Sequence, residues 1–144
     1  MIELPADVLL IEPDERESDR YRALFTTGEG GACVSVATDA DHAFELLERE
    51  ADTCSPHLIL IDLDHAEIDA LNLVRRLRDD WRTRSIPIVA LATDADEESA
   101  LDAGRAGVSA LITKPLDAEN FIEAARAVSL YWRAWAHAAD EALT

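Results

Sequence analysis

His57-Leu58-Ile59-Leu60-Ile61-Asp62-Leu63-Asp64 decides how this chain folds. Consecutive Leu and Ile residues, bounded by Pro56 on one side and acids on the other, read as a strand buried on both faces. Strands of that kind belong to parallel sheets with helices packed on each side. Asp62 then stands at the carboxyl end of the strand, the edge of an open α/β sheet where ligands and chemistry gather.

Working outward, Val8 to Ile11 is a short apolar strand that runs into Glu12-Pro13-Asp14. Arg16 to Thr27 follows as a helix with Tyr21, Leu24 and Phe25 on one face, stopped by Gly28-Glu29-Gly30-Gly31. Cys33 to Ala37 alternates like a second strand, and Asp39 or Asp41 caps a helix carrying Ala43, Phe44, Leu46 and Leu47. Beyond the Asp62 strand, Leu71 to Asp80 places Leu71, Val74, Leu77 and Arg78 at helical spacings. Pro87 to Ala92 is a fourth strand, Asp96 to Ala106 an acidic helix ending near Gly107, and Ala110 to Thr113 a fifth strand leading to Lys114-Pro115. Asp117 caps a last helix that runs to about residue 143. Strands alternating with helices in this way predict a doubly wound (βα)5 parallel sheet. Right-handed crossovers leave few arrangements, and the flavodoxin-like strand order 2-1-3-4-5 fits. That order sets the ends of strands one, three and five side by side, so that Glu12, Asp62 and Lys114 converge.

Length and the absence of any linker or repeat predict a single domain over residues 1–144. No apolar run reaches membrane-span length and no leader pattern opens the chain, so the expected location is cytoplasmic, with no membrane contact. Thirty acids against 13 bases give a net charge of −17, a surface that repels phosphate backbones and argues against direct nucleic-acid binding. Lys114 is the only lysine in the chain. High-GC codon bias depletes lysine but leaves the charge unexplained; an acidic, lysine-poor surface matches proteins of salt-rich cytoplasm better. Cys33 and Cys54 form no metal or redox motif and read as reduced thiols.

A carboxylate among acids and one lysine at a sheet edge is chemically coherent. The carboxylate attacks a phosphoryl group to form an acyl phosphate. A cation among the carboxylates, usually Mg2+, and the lysine neutralise the incoming negative charge.

On these residues the chain resembles the receiver domain of two-component response regulators over about Asp7 to Val128. Four segments carry the likeness: Val8-Leu9-Leu10-Ile11-Glu12, Pro56 to Asp62 with Asp69 beyond it, Pro87 to Leu91, and Ala106-Gly107-Val108-Ser109-Ala110-Leu111-Ile112-Thr113-Lys114-Pro115. The resemblance implies that Asp62 is the phosphoacceptor, that Lys114 binds the phosphoryl group, and that Mg2+ sits among Glu12, Asp14, Asp62 and Asp64. It also implies a sensor histidine kinase as donor and a signalling role rather than an enzymatic one.

The departures from the pattern are specific. Two adjacent acids usually follow the first strand, whereas here Glu12 is followed by Pro13, leaving Asp14 one position late. Ala92 stands where the family has Ser or Thr, and Thr93, one position late, is the remaining hydroxyl for a phosphoryl contact, with alternation turning it to the other face. Leu111 replaces the aromatic switch residue, so both switch positions, Ala92 and Leu111, are substituted. His65-Ala66 replaces Met-Pro, and His57 and His65 read as incidental.

In the last helix Phe121, Ala125, Val128, Trp132, Trp135, Ala139 and Ala142 recur at four and three, a coiled-coil spacing. At about 1.5 Å per residue, residues 117–143 would extend roughly 40 Å, beyond the sheet. Trp132 and Trp135 would then form a costly exposed patch unless a second copy covered it, which predicts a homodimer through this helix.

Two main functions follow. One is a stand-alone receiver phosphorylated on Asp62 that signals to a downstream protein partner; the other is a degenerate receiver that acts as an interaction or dimerisation module without phosphate. A remote third reading takes Asp62-Leu63-Asp64 as the DxD opening of a haloacid-dehalogenase-type phosphatase, which needs a later acidic metal pair where only Asp140-Glu141 remains.

Overall fold

The structure is a computed structural model, and it describes residues 7–26, 33–50, 56–65, 68–93, 96–114, 116–117 and 119–120. Elements alternate in chain order: β1 (Asp7–Ile11), α1 (Glu15–Thr26), β2 (Cys33–Ala37), α2 (Ala40–Glu50), β3 (Leu58–Asp62), α3 (Ala70–Asp79), β4 (Ile88–Ala92), α4 (Glu97–Ala106) and β5 (Ala110–Thr113). The strands form one parallel sheet in the order β2-β1-β3-β4-β5. Asp117 and the long last helix divide: Asp117 and Asn120 exchange side-chain-to-backbone bonds of 2.8 and 2.9 Å, a capping arrangement, while Trp132 and Trp135 lie outside the described residues.

The Leu/Ile runs are double-sided because the sheet is covered on both faces. Leu9, Ile11, Ile59, Ile61, Ile88 and Ala90 join Leu47, Leu73, Val74 and Leu77 of α2 and α3 in one core. The alternate residues, Val8, Leu10, Leu58, Leu60, Val89 and Leu91, pack with Tyr21 of α1, Ile112 and Leu116 in the other. Full burial of each such Leu or Ile stabilises the fold by about 1.5–3 kcal/mol before chain entropy is counted. Extended alternation therefore decides which side each later residue faces. Glu12 continues the series Val8, Leu10, and Asp62 the series Leu58, Leu60, so both carboxylates emerge on the α1 side of the sheet.

The helices start and stop where their ends are satisfied. Asp69 caps α3 through Asn72 N, and Ala70, Leu73, Val74 and Leu77 form its buried stripe. Asp96 caps α4 through Ser99 N at 2.7 Å, and Gly107 ends it with φ of 120°, a left-handed conformation that glycine adopts without strain. Arg78 pins that turn: its guanidinium donates to the carbonyls of Gly107, Arg84 and Ile86 at 2.9, 2.9 and 2.6 Å. It holds the loop into β4 against the loop into β5, at the edge of the sheet opposite Asp62.

Candidate functional site

Register brings the site together. Ile11 pairs with Ile61, so Glu12 follows beside Asp62. Asp62 pairs with Leu91, and Leu91 with Ile112. Two residues further along the same row come Asp64, Thr93 and Lys114, and the bonds Leu63 N to Leu91 O (2.8 Å) and Lys114 N to Ala92 O (2.9 Å) carry the ladder that far. Residues separated by fifty positions in the chain thus meet because three strands end at one level.

Asp62 is wholly buried, with relative exposure of 0%. Lys114 Nζ donates to Asp62 Oδ2 at 2.6 Å and lies 3.0 Å from Asp64 Oδ2. Asp62 Oδ1 accepts the backbone N–H of Asp64 at 2.9 Å. Asp64 accepts the Thr93 N–H and the Thr93 hydroxyl, at 3.0 and 2.6 Å. His65 Nε2 reaches back between the acids, 2.9 Å from Glu12 Oε2 and 3.2 Å from Asp62 Oδ2. Both Glu12 oxygens are buried and lack a hydrogen-bond partner of acceptable geometry, the closeness of His65 notwithstanding. An open depression of about 640 Å³ borders the cluster, lined among others by Asp64, His65, Asp69 and Ala92.

The charge states follow from these contacts. Burial pushes the Glu12 carboxyl up to about 9, helped by the adjoining Asp62 carboxylate and its negative charge. Burial alone would also raise Asp62, but the adjoining Glu12 carboxyl, hydrogen bonds from Lys114 and the Asp64 backbone, and the lysine's charge hold it below the usual carboxylate range. Burial works against the ammonium of Lys114, yet its bonds to Asp62 and Asp64 raise it above the usual lysine range. At neutral pH, without a bound cation, the Glu12–Asp62 pair shares one proton, and its remaining negative charge lies against a protonated Lys114.

Several expectations need correction. Asp14 is not brought into the cluster: its Oδ1 accepts the N–H groups of Arg16 and Glu17 at 2.9 and 3.4 Å, because the first turn of α1 leaves those donors unpaired. Asp64 is engaged by Thr93 and Lys114 rather than by the metal-ligand group. Thr93 is not turned away from the site, since the register sets it in the row of Asp64 and Lys114. His65 is not incidental; among the described residues Glu12, Asp62 and His65 form the group whose donor atoms lie close enough to hold a metal ion. The available signal for it was its place three residues after Asp62, on the loop leaving β3. Ala92 is buried at the end of β4, and Leu111 is half-buried against the larger core.

A family model of the response regulator receiver domain matches residues 8–126. The chain belongs to that family. This receiver domain is 35% identical to an uncharacterised 14.6 kDa protein of Leptolyngbya boryana, over 77% of this chain and 80% of the relative. It is 27% identical to the polar-differentiation response regulator DivK of Brucella anthropi, over 83% of this chain and 93% of DivK. Against the longer response regulator Rre1 of Synechocystis it spans 48% of the relative's length. Its backbone superposes on the bacteriophytochrome response regulator RtBRR with a TM-score of 0.72 at 26% identity, covering 87% of this chain and 78% of that one. The flavodoxin-like order expected from the sequence is the receiver fold. Among the described residues no helix is long and apolar enough to cross a membrane.

The receiver family implies a divalent cation beside the phosphoacceptor, and the residues fit one. Glu12 and Asp62 offer buried carboxylate oxygens, two of them on Glu12 without a partner of good geometry, at the mouth of the sheet. Such a cation supplies charge neutralisation for an incoming phosphoryl group.

Proposed function

We propose that this receiver accepts a phosphoryl group on Asp62 from the phosphohistidine of a sensor histidine kinase and signals through protein–protein contacts. The observation that supports it is Lys114 Nζ at 2.6 Å from the Asp62 carboxylate, with Asp62 ionised. An Asp62 oxygen attacks phosphorus as the P–N bond to the donor imidazole breaks; the P–O bond forms and the freed imidazole takes up a proton. Lys114 then donates to the phosphoryl oxygens. Glu12 and Asp62 would hold a Mg2+ ion, which would neutralise the charge of the carboxylates and the phosphoryl group.

A second reading, a phosphorylation-independent interaction module, is favoured by Asp64. Its carboxylate already occupies the Lys114 ammonium and the Thr93 hydroxyl, the donors a phosphoryl group needs. Pro13 and Ala92 also remove groups on which phosphoryl binding usually depends. Incubation with acetyl phosphate and Mg2+, followed by intact mass, separates the two. A phosphate adduct absent from Asp62→Asn is expected; no adduct on the wild-type chain leaves only the interaction module. For the last helix we propose a homodimer contact through Trp132 and Trp135, to be checked by sedimentation, where a monomer at micromolar concentration would remove the idea.

A further inference from the structure

We infer that Glu12, Asp62 and His65 form a three-ligand site that prefers a later first-row transition-metal ion, of the Co2+ or Zn2+ class, over Mg2+. This goes beyond the phosphoryl chemistry and does not rest on it. Three observations carry it. The separations of His65 Nε2 from Glu12 Oε2 and Asp62 Oδ2 are 2.9 and 3.2 Å, values that match the edges of a coordination polyhedron whose bonds are about 2.0–2.2 Å. Glu12 is 1% exposed, and both of its oxygens lack a hydrogen-bond partner of acceptable geometry, an expensive arrangement that a bound cation resolves. Finally, the donor set has changed: Pro13 offers no carboxylate, Asp14 caps α1, and the third donor delivered to the cluster is an imidazole.

That third donor decides the preference. Mg2+ demands oxygen ligands and holds its waters, and Mn2+ shares its taste for oxygen, whereas later first-row ions such as Co2+ and Zn2+ take an imidazole nitrogen readily. Two carboxylates and one imidazole, with His65 on the rim of the open depression, leave the other coordination positions to water. Asp62 Oδ1 and Oδ2 are already touched by Asp64 N and Lys114 Nζ, so the ion shares Asp62 with the lysine rather than replacing it.

The test is calorimetric titration of the metal-free chain with Mg2+, Mn2+, Co2+ and Zn2+ separately, with the visible spectrum of the Co2+ form as a second readout. It contains no phosphoryl donor, so its failure and a failure of phosphorylation are told apart. Wild type is expected to bind Co2+ or Zn2+ at least about 100-fold more tightly than Mg2+. His65→Ala is expected to lower the Co2+ and Zn2+ affinities by about 10- to 100-fold and to change the Co2+ spectrum, with Mg2+ binding held within about threefold. His65→Gln, with circular dichroism on both variants, guards against loss of fold and is expected to behave as His65→Ala does. Unchanged Co2+ affinity and spectrum in the folded variants would overturn the inference. So would failure of the wild type to take up any transition metal, leaving His65 as an ion-pair partner of the two acids.

Discussion

Removing the Asp64 carboxylate is expected to strengthen phosphoryl binding. Asp64 accepts Thr93 N–H, Thr93 Oγ1–H and Lys114 Nζ–H at 3.0, 2.6 and 3.0 Å, and so holds the donors that an incoming phosphoryl group must recruit. Charge-assisted bonds are worth about 1.5–3 kcal/mol each where water is excluded. The Asp64 side chain is 32% exposed, so solvent screening and rehydration of the freed carboxylate return most of that. A net competition of about 1–2 kcal/mol remains, or about 5- to 30-fold in affinity. Beryllofluoride titrated in the presence of Mg2+ and followed by fluorine NMR reads this directly. Asp64→Ala is expected to bind tighter by that factor, and Asp64→Asn, which keeps the shape but not the charge, by less. The folded state of Asp64→Ala loses about 1 kcal/mol in denaturant titration, because one of the lysine's two ion pairs is gone. Equal or weaker beryllofluoride binding in both variants would refute the reasoning, since Asp64 would then be assisting the anion rather than competing with it.

Lys114→Met should destabilise the fold by about 2–4 kcal/mol in denaturant titration, because it strips the nearest cation from a fully buried carboxylate; adding Asp62→Asn should recover most of the loss. Gly107→Ala meets both a φ of 120° and the Arg78 Cγ at 2.6 Å from the new Cβ, so a loss of about 1–3 kcal/mol is expected, with a fall in melting temperature. Tyr21 is buried and donates to Glu17 Oε2 at 2.5 Å; burial, then this bond and the carboxylate's charge, raise its phenol above the usual tyrosine range. Above about pH 10 the unfolded tyrosine ionises while the folded one keeps its proton, so stability falls as pH rises. Tyr21→Phe should flatten that alkaline limb, measured by denaturant midpoints between neutral and alkaline pH.

Much of this arrangement was legible because the core is written in short, double-sided runs. Leu58 to Ile61 and Ile88 to Leu91 carry no polar residue on either face, as strands of a parallel sheet covered by helices on both sides do. Right-handed crossovers then leave few strand orders, and the flavodoxin-like one brings Glu12, Asp62 and Lys114 together. Side-chain direction beyond the strand ends was not legible. Asp14 and Asp64 are equally acidic in sequence, yet one satisfies the first turn of α1 and the other bonds to Thr93 across a gap of 29 residues. His65 carried no periodic signal, because it sits on a loop where position is set by the register of two strands rather than by its neighbours. Thr93 obeys a related rule: alternation after Ala92 alone turns it away, whereas the row shared with Asp64 and Lys114 determines what it touches.

The central claim, a nucleophilic Asp62 held beside Lys114, is tested most directly by trapping the acyl phosphate. The chain is treated with acetyl phosphate and Mg2+, reduced with borohydride and mapped by peptide mass spectrometry. Reduction of an aspartyl phosphate leaves homoserine, and the expected result is homoserine at position 62, absent when Lys114 is replaced by Met or when the phosphate donor is omitted. Homoserine at another acid, or an unmodified Asp62 after prolonged treatment of a folded, metal-loaded chain, would contradict it.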